Sequence, residues 1–144
     1  MSSRNADLFL FDVYIAIVKI QHYVSDFADA ESLKNDCKTW DATIREFEII
    51  GESTKNLIKL GILDETHRDI VDFRNVLIHA YFAIDEHEVW GIIQTFLEGF
   101  KQEISTIIHH YEPLQKKQLI HLLILENQHI GFLVQSLQEL QNGK

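Results

Sequence analysis

The chain has 144 residues, of which 46% are hydrophobic and 24% are charged, and its formal net charge is −9. This length fits one domain with a core of its own, and six glycines with a single proline favour long helices over a turn-rich β fold. The acidic balance argues against bulk electrostatic attraction to nucleic acid or to anionic membrane. A nucleic-acid substrate would therefore require a local positive cleft.

The sequence also predicts where the protein resides. Its single cysteine, Cys37, cannot form an internal disulfide, which fits a reducing cytoplasm. Residues 1–7 lack the apolar core of a signal peptide, and the longest nearly uninterrupted apolar stretch, residues 119–125, is too short to span a bilayer. We therefore expect a cytoplasmic protein with no membrane partner.

Apolar residues at spacings of three and four predict a first helix over about residues 5–29. Residues 29–36 lose this periodicity and are expected to form a connection. A second helix is predicted over residues 38–60, with Gly61 as the C′ residue that ends it. Inside this helix Gly51 costs about 1 kcal/mol relative to alanine, which we interpret as a close approach between two helices.

A third predicted helix begins near His67 and ends near Ile84, since Asp85 with Glu88 resembles a capping pair for the next helix. This third helix contains the segment richest in functional groups. It is therefore the main candidate for the functional site.

Two further helices are predicted over residues 86–111 and, after Pro113, over residues 114–141. The predicted fold is all-α, an antiparallel helical bundle with an additional C-terminal helix. We expect residues 1–111 to form a four-helix bundle domain. Residues 112–144 would be a helical extension that packs on the same domain or on a partner subunit.

The third helix carries a polar cluster on an otherwise apolar run: Arg74, Asn75, His79 and Tyr81. On an ideal helix these side chains share a face with Ile78 and Phe82. The opposite arc is expected to anchor the helix on the core: Phe73, Val76, Leu77, Ala80 and Ile84. A face that mixes large apolar and charged groups suits a surface covered by a second subunit. Ile78 and Phe82 are therefore predicted to lie in a dimer interface.

Three blocks of the sequence carry a family resemblance: residues 7–17, residues 40–53 and residues 73–82. The second block is similar to an AxxRxxExIGEA helix, and the third has an R-x-x-x-x-H-x-Y signature. In this order they resemble the HEPN superfamily and, within it, the HepT-like (DUF86-type) toxins of prokaryotic toxin–antitoxin pairs. The sequence departs from the family's usual Glu and Gly at Ala80 and Ala83, outside the polar signature.

The resemblance implies a metal-independent endoribonuclease that requires no cofactor and acts on RNA. An imidazole such as that of His79 can exchange a proton near neutral pH. Arg74 can bind phosphate oxygens, and Asn75 can orient the imidazole or bond to the phosphate. One chain offers one signature histidine, whereas transesterification needs an acid and a base. A homodimer would therefore place two Arg and two His in one composite cleft.

The resemblance further implies regulation in a type VII-like toxin–antitoxin system. A cognate MntA-like minimal nucleotidyltransferase antitoxin would transfer AMP to Tyr81 and silence the toxin. The alternative role of Tyr81 is packing at the dimer interface. The C-terminal helix would extend the dimer, build a higher oligomer or dock the antitoxin, and the sequence leaves these three alternatives open.

Two other functions compete with a ribonuclease toxin. One is a non-catalytic HEPN binding partner of a nucleotidyltransferase, and the other is a structural helical-bundle adaptor. The intact Arg74 and His79 pair favours the enzyme.

Polar residues outside the signature are assigned no catalytic role. Arg45, Glu48 and Glu52 share a helical stripe and form either ion-paired support or part of the cleft, with support favoured. No metal site is expected, because the other clustered histidines lack cysteine or carboxylate partners at metal-ligand spacing: His109, His110, His121 and His129.

Overall fold

The computed structural model describes residues 3–143, apart from the side chains of residues 3–5 and of Tyr81. Over these residues the chain forms helices and no strand, which confirms the all-α fold class. The α-helices are α1 (Ser3–Val24), α2 (Ala30–Asn35), α3 (Cys37–Lys59), α4 (Arg68–His79), α5 (Glu86–Thr95), α6 (Leu97–His109), α7 (Pro113–Glu126) and α8 (Gly131–Gln141). Two 3₁₀ turns, Glu65–His67 and Tyr81–Ala83, flank α4.

Helix α1 is the centre of the bundle, because α3, α6 and α8 all pack against it. Its apolar residues are therefore buried on several sides rather than along one stripe, as shown by Leu10, Val13, Ile17 and Ile20. Helix α4 packs on the outer side of α3, and α2 packs against α3 and α5. The signature helix is thus positioned mainly by α3.

The predicted limits of this helix, about residues 38–60, agree with the observed α3. Capping interactions at both ends explain why it begins and ends there. At the N-terminus, the Asp36 carboxylate accepts a hydrogen bond from the Thr39 backbone N–H at 3.1 Å. At the C-terminus, Gly61 has a φ of +75°. The Gly61 N–H donates to the Ile58 carbonyl, and the next N–H along the chain donates to the Leu57 carbonyl. These two bonds form a Schellman motif, as a C′ glycine predicts.

The chain between the first two predicted helices differs from the expectation. Helix α1 ends at Val24, and the expected connection contains α2. The Ser25 hydroxyl bonds to the His22 carbonyl at 2.8 Å and competes with continuation of the helix. Asp29 then caps α2, and Leu33 is fully buried. A six-residue helix is too short to show periodicity, so its cap and one buried leucine determine it.

The fourth and fifth predicted helices are each divided in two. The Thr95 hydroxyl bonds to the Gly91 carbonyl at 2.7 Å, and the backbone departs from helical φ at Phe96. Farther along the chain, the Asn127 side-chain amide donates to the Leu123 carbonyl at 2.8 Å. The chain reverses after that bond, so that α7 and α8 pack against each other. The prediction of one continuous helix over residues 114–141 is therefore wrong.

The C-terminal hairpin of α7 and α8 is joined to α1 of the same chain by polar and aromatic contacts. The hydroxyl oxygens of Tyr14 and Ser136 lie 2.7 Å apart in a hydrogen bond. The rings of His22 and Phe132 stack with centroids 3.7 Å apart. The division of the chain near residue 111 into a domain and an extension remains a prediction.

Candidate functional site

Arg74 lies in the contact between α4 and α3, where the two helices approach closely at Gly51. A Cβ atom added to Gly51 would lie 2.2 Å from the Cβ of Arg74 and 3.3 Å from the carbonyl oxygen of Ile70. Only glycine fits at this contact, so the predicted close approach at Gly51 is confirmed. The aliphatic stem of Arg74 is packed against α3 and fixes where the guanidinium emerges.

The Arg74 guanidinium is held by two partners. Its Nη2 lies 3.0 Å from Oε2 of Glu52 in an ion pair, and its Nη1 donates to Oδ1 of Asn75 at 3.0 Å. Its Nε is buried and has no partner among the described residues. The Arg74 side chain is 22% exposed, so the charged group lies at a surface but is not free in solvent.

A groove of about 440 Å³ opens in front of this guanidinium. It is lined by Phe9, Asp12, Arg45, Glu48, Ile49, Glu52, Ser53, Arg74 and Ile78. Burial raises the pKa of Asp12. Three carboxyl groups and two guanidinium groups therefore share the groove. An anion that enters it meets no excess of positive charge.

His79 is the last residue of α4, and its side chain is exposed. In the part of the chain that the structure describes, its imidazole has no hydrogen-bond or ion-pair partner. It does not line the Arg74 groove, which agrees with a separation of about 140° around the helix. The fold therefore brings Arg74 and His79 onto one helix but not into one site within a protomer.

The prediction of which side of α4 faces the core is partly wrong. Phe73 and Leu77 are buried as expected, but Val76 is 46% exposed. Arg74, expected opposite the core, instead lies inside the contact with α3. Asn75 bonds to Arg74, and no hydrogen bond joins it to His79 among the described side chains. The buried arc is rotated toward Arg74 because Gly51 leaves space there for a long side chain.

The signature helix also ends earlier than predicted. The Ala80 N–H still bonds to the Val76 carbonyl, and the chain then enters the turn Tyr81–Ala83. Tyr81 and Phe82 are therefore not on the helix, and their expected position beside Arg74 does not follow from helical geometry. The predicted modification site is the Tyr81 side chain, which lies outside the described residues.

The two residues predicted for a dimer interface are both exposed. Ile78 is 38% exposed at the rim of the groove, and Phe82 is 82% exposed on the turn. Large apolar side chains at these exposures are consistent with a covered surface. The dimer interface itself remains a prediction.

Asp12 lines the groove but was not singled out by the sequence. Glu52 was expected to be either ion-paired support or part of the cleft, with support favoured. Glu52 contacts Arg74 directly, whereas Arg45 and Glu48 form a longer pair of 3.8 Å with each other. The spacing of seven residues between Arg45 and Glu52 places them on one face of α3 and is the signal for the groove.

The described residues contain no group of three or more His, Cys, Asp or Glu side chains placed to hold a metal ion. None of the helices that the structure describes is both long and apolar enough to cross a membrane.

Comparison with known proteins gives one family. A family model described as ribonuclease HepT-like matches residues 14–107. A candidate RNase of Methanocaldococcus jannaschii is 29% identical over 110 residues, which cover 74% of this chain and all of that protein. Another from the same organism is 32% identical over 115 residues, or 78% and 94% of the two chains.

A protein of Thermococcus cleftensis named as a probable ribonuclease HepT is 32% identical over 111 residues, which cover 75% of this chain and 94% of that protein. The comparison with solved structures gave no significant match. Helices α7 and α8 lie beyond the residues that the family model matches.

Proposed function

Because the chain belongs to the HepT-like ribonuclease family, we propose that it is a metal-independent endoribonuclease and the toxin of a type VII-like toxin–antitoxin pair. The observation that carries this proposal is the Arg74 guanidinium, fixed by α3 at the wall of an open groove. An arginine held in this way is preorganised for phosphate and loses little freedom on binding it.

The proposed reaction uses the nucleophile that RNA itself supplies. The ribose 2′-oxygen attacks the adjacent phosphorus, a new O2′–P bond forms, and the P–O5′ bond breaks. The products are a 2′,3′-cyclic phosphate and a free 5′-hydroxyl. One His79 imidazole accepts the proton from the 2′-hydroxyl, and a protonated imidazole donates a proton to the leaving 5′-oxygen. Arg74 binds the non-bridging oxygens, where negative charge increases in the transition state.

We propose that the complete site is formed by a homodimer. Two observations support this: Arg74 and His79 point to different sides of α4, and Ile78 and Phe82 are exposed nearby. A two-fold axis beside α4 would bring two arginines and two histidines into one cleft. Asn75 would then act on the phosphate through its bond to Arg74.

Tyr81 is the proposed site at which a cognate MntA-like nucleotidyltransferase antitoxin adds AMP. Its support is the match of Arg74, His79 and Tyr81 to the family signature. Co-expression of the two proteins should increase the mass of this chain by whole AMP units, as measured by intact-protein mass spectrometry. The Tyr81→Phe variant should keep its unmodified mass, and an unchanged mass gain in that variant would place the modification elsewhere.

The groove also favours a second candidate function. Three carboxyl groups face two arginines, and Arg74 is already paired with Glu52. This electrostatic setting suits a non-catalytic HEPN partner of a nucleotidyltransferase that never binds RNA.

Cleavage of RNA by the purified protein separates the two functions. Wild type should cleave a single-stranded RNA with EDTA present, and Arg74→Ala and His79→Ala should each lose at least 100-fold in rate. Induced expression should arrest growth only with wild type. Equal behaviour of all three folded proteins would support the non-catalytic partner, and loss of cleavage in EDTA would contradict metal independence.

A further inference from the structure

The group that the proposed function assigns to phosphate already has an acidic partner. Glu52 Oε2 lies 3.0 Å from Arg74 Nη2. Phosphate oxygens, like carboxylate oxygens, bind a guanidinium at its N–H edge, where the Glu52 oxygen already lies. A phosphate and the Glu52 carboxylate therefore compete for one binding position.

The two partners differ in how easily they can move. Arg74 is confined, because its Cβ and Cγ lie against Gly51 of α3. Glu52 has a side chain that is 49% exposed, and its carboxylate makes no other described hydrogen bond or ion pair. The guanidinium will consequently stay in place, and the carboxylate is the partner that can leave.

The charges in the groove make this departure necessary. Asp12 and Glu48 line the same groove, and the whole chain carries a net charge of −9. A phosphate that entered while Glu52 remained paired would add a negative charge to three carboxyl groups facing two arginines. Like charges in contact oppose binding, and salt screens them less at a partly buried site.

We propose that Glu52 is an inhibitory counterion of Arg74. Phosphate binds Arg74 only by displacing the Glu52 carboxylate, which turns toward solvent. With RNA as the source of the phosphate, this inference rests on the proposed function. In the absence of RNA, Glu52 neutralises Arg74 and rejects other anions. Only a ligand that gains further contacts can displace it.

The first test uses inorganic phosphate and needs no catalysis. The Arg74 Nε–H has no described partner, so its NMR cross-peak should report changes at the guanidinium, and Arg74→Lys assigns it. Glu52→Gln removes the negative charge but keeps a side-chain oxygen that can lie beside Nη2. It should bind phosphate about three- to tenfold more tightly than wild type.

Glu48→Gln is the matched control, because it removes the same charge from the same groove without touching Arg74. Its effect should be about twofold or less and should disappear in high salt, where long-range fields are screened. The inference is overturned if Glu52→Gln binds phosphate no more tightly than Glu48→Gln. It is also overturned if Glu52→Gln binds more weakly than wild type, since Glu52 would then position the arginine.

A second test uses a fluorescein-labelled single-stranded RNA and chains with His79→Ala, which prevents cleavage. Adding Glu52→Gln to this background should tighten RNA binding by a similar factor. If neither chain binds RNA while phosphate still prefers Glu52→Gln, the proposed function fails and the counterion stands. If RNA binds both chains equally, the counterion fails and RNA binding stands.

Discussion

The middle of α4 carries Arg74 and its C-terminal end carries His79. These are the two groups proposed for catalysis, and their surroundings in the fold are opposite. Arg74 is packed on Gly51, paired with Glu52 and bonded to Asn75. His79 closes the helix at the surface, and no partner for it is described. Packing thus fixes the proposed phosphate-binding charge within one chain, whereas the proposed proton-transfer group lies exposed at the end of the helix.

This difference indicates that the position of Arg74 depends on the fold of one chain. The proposed role of His79 depends in addition on assembly. A change at Arg74 should affect both stability and activity, because its stem is part of a helix contact. A change at His79 should affect activity alone. The following predictions test this contrast, beginning with the largest effect.

His79→Gln should lower the cleavage rate by roughly 10²- to 10⁴-fold, because glutamine cannot exchange a proton at neutral pH. Its free energy of unfolding should stay within about 0.5 kcal/mol of wild type, because the side chain is exposed. Cleavage assays and urea unfolding measure the two quantities. A large loss of stability would mean that His79 has a structural contact.

Gly51→Ala should destabilise the fold by about 1–3 kcal/mol, because the new Cβ would lie 2.2 Å from the Cβ of Arg74. The control is Gly91→Ala in α5, where nothing lies within 4 Å of the added Cβ. That substitution should be neutral or stabilise by up to about 1 kcal/mol. Urea unfolding that shows equal effects at both glycines would contradict the close contact of α3 and α4.

Arg74→Ala should destabilise by about 1–2 kcal/mol, because it removes both the packed stem and the partner of Glu52. Arg74→Met keeps most of the stem and should cost about half as much. Both variants should abolish cleavage. Thermal unfolding that ranks methionine below alanine would show that packing is not the main contribution of this side chain.

The smallest expected effect is a pH dependence of the stability, which arises at His67 just before α4. Burial by itself would lower the pKa of His67, but hydrogen bonds and charge from Glu103 and Asp64 outweigh burial and raise it. A raised pKa means that the paired form stabilises the fold below the unfolded-state pKa. This stability is lost as the pH rises through the folded-state pKa.

The change between pH 6 and pH 8 should be below about 1 kcal/mol, because Glu103 is half exposed. His67→Gln should flatten the dependence in urea unfolding across this range. A stability that instead increases with pH would show that burial dominates at His67.

Local sequence features predicted the parts of the structure that short-range physics controls. The Schellman motif at Gly61 and the cap at Asp85 each depend on a side chain or a backbone angle within a few residues. The breaks near Phe96 and Asn127 were missed. Thr95 and Asn127 form competing hydrogen bonds there, and such residues also occur within unbroken helices.

By itself, the sequence determined the all-α class, the residues of the signature and a close approach of two helices at Gly51. Helical periodicity gives the angles between side chains on one helix, so the separation of Arg74 and His79 followed from it. It does not say which arc faces the core. Only the tertiary structure decided that Arg74 lies within the α3 contact and that Glu52 is its partner. Both results depend on where a second helix packs, which is set by contacts between residues distant in sequence.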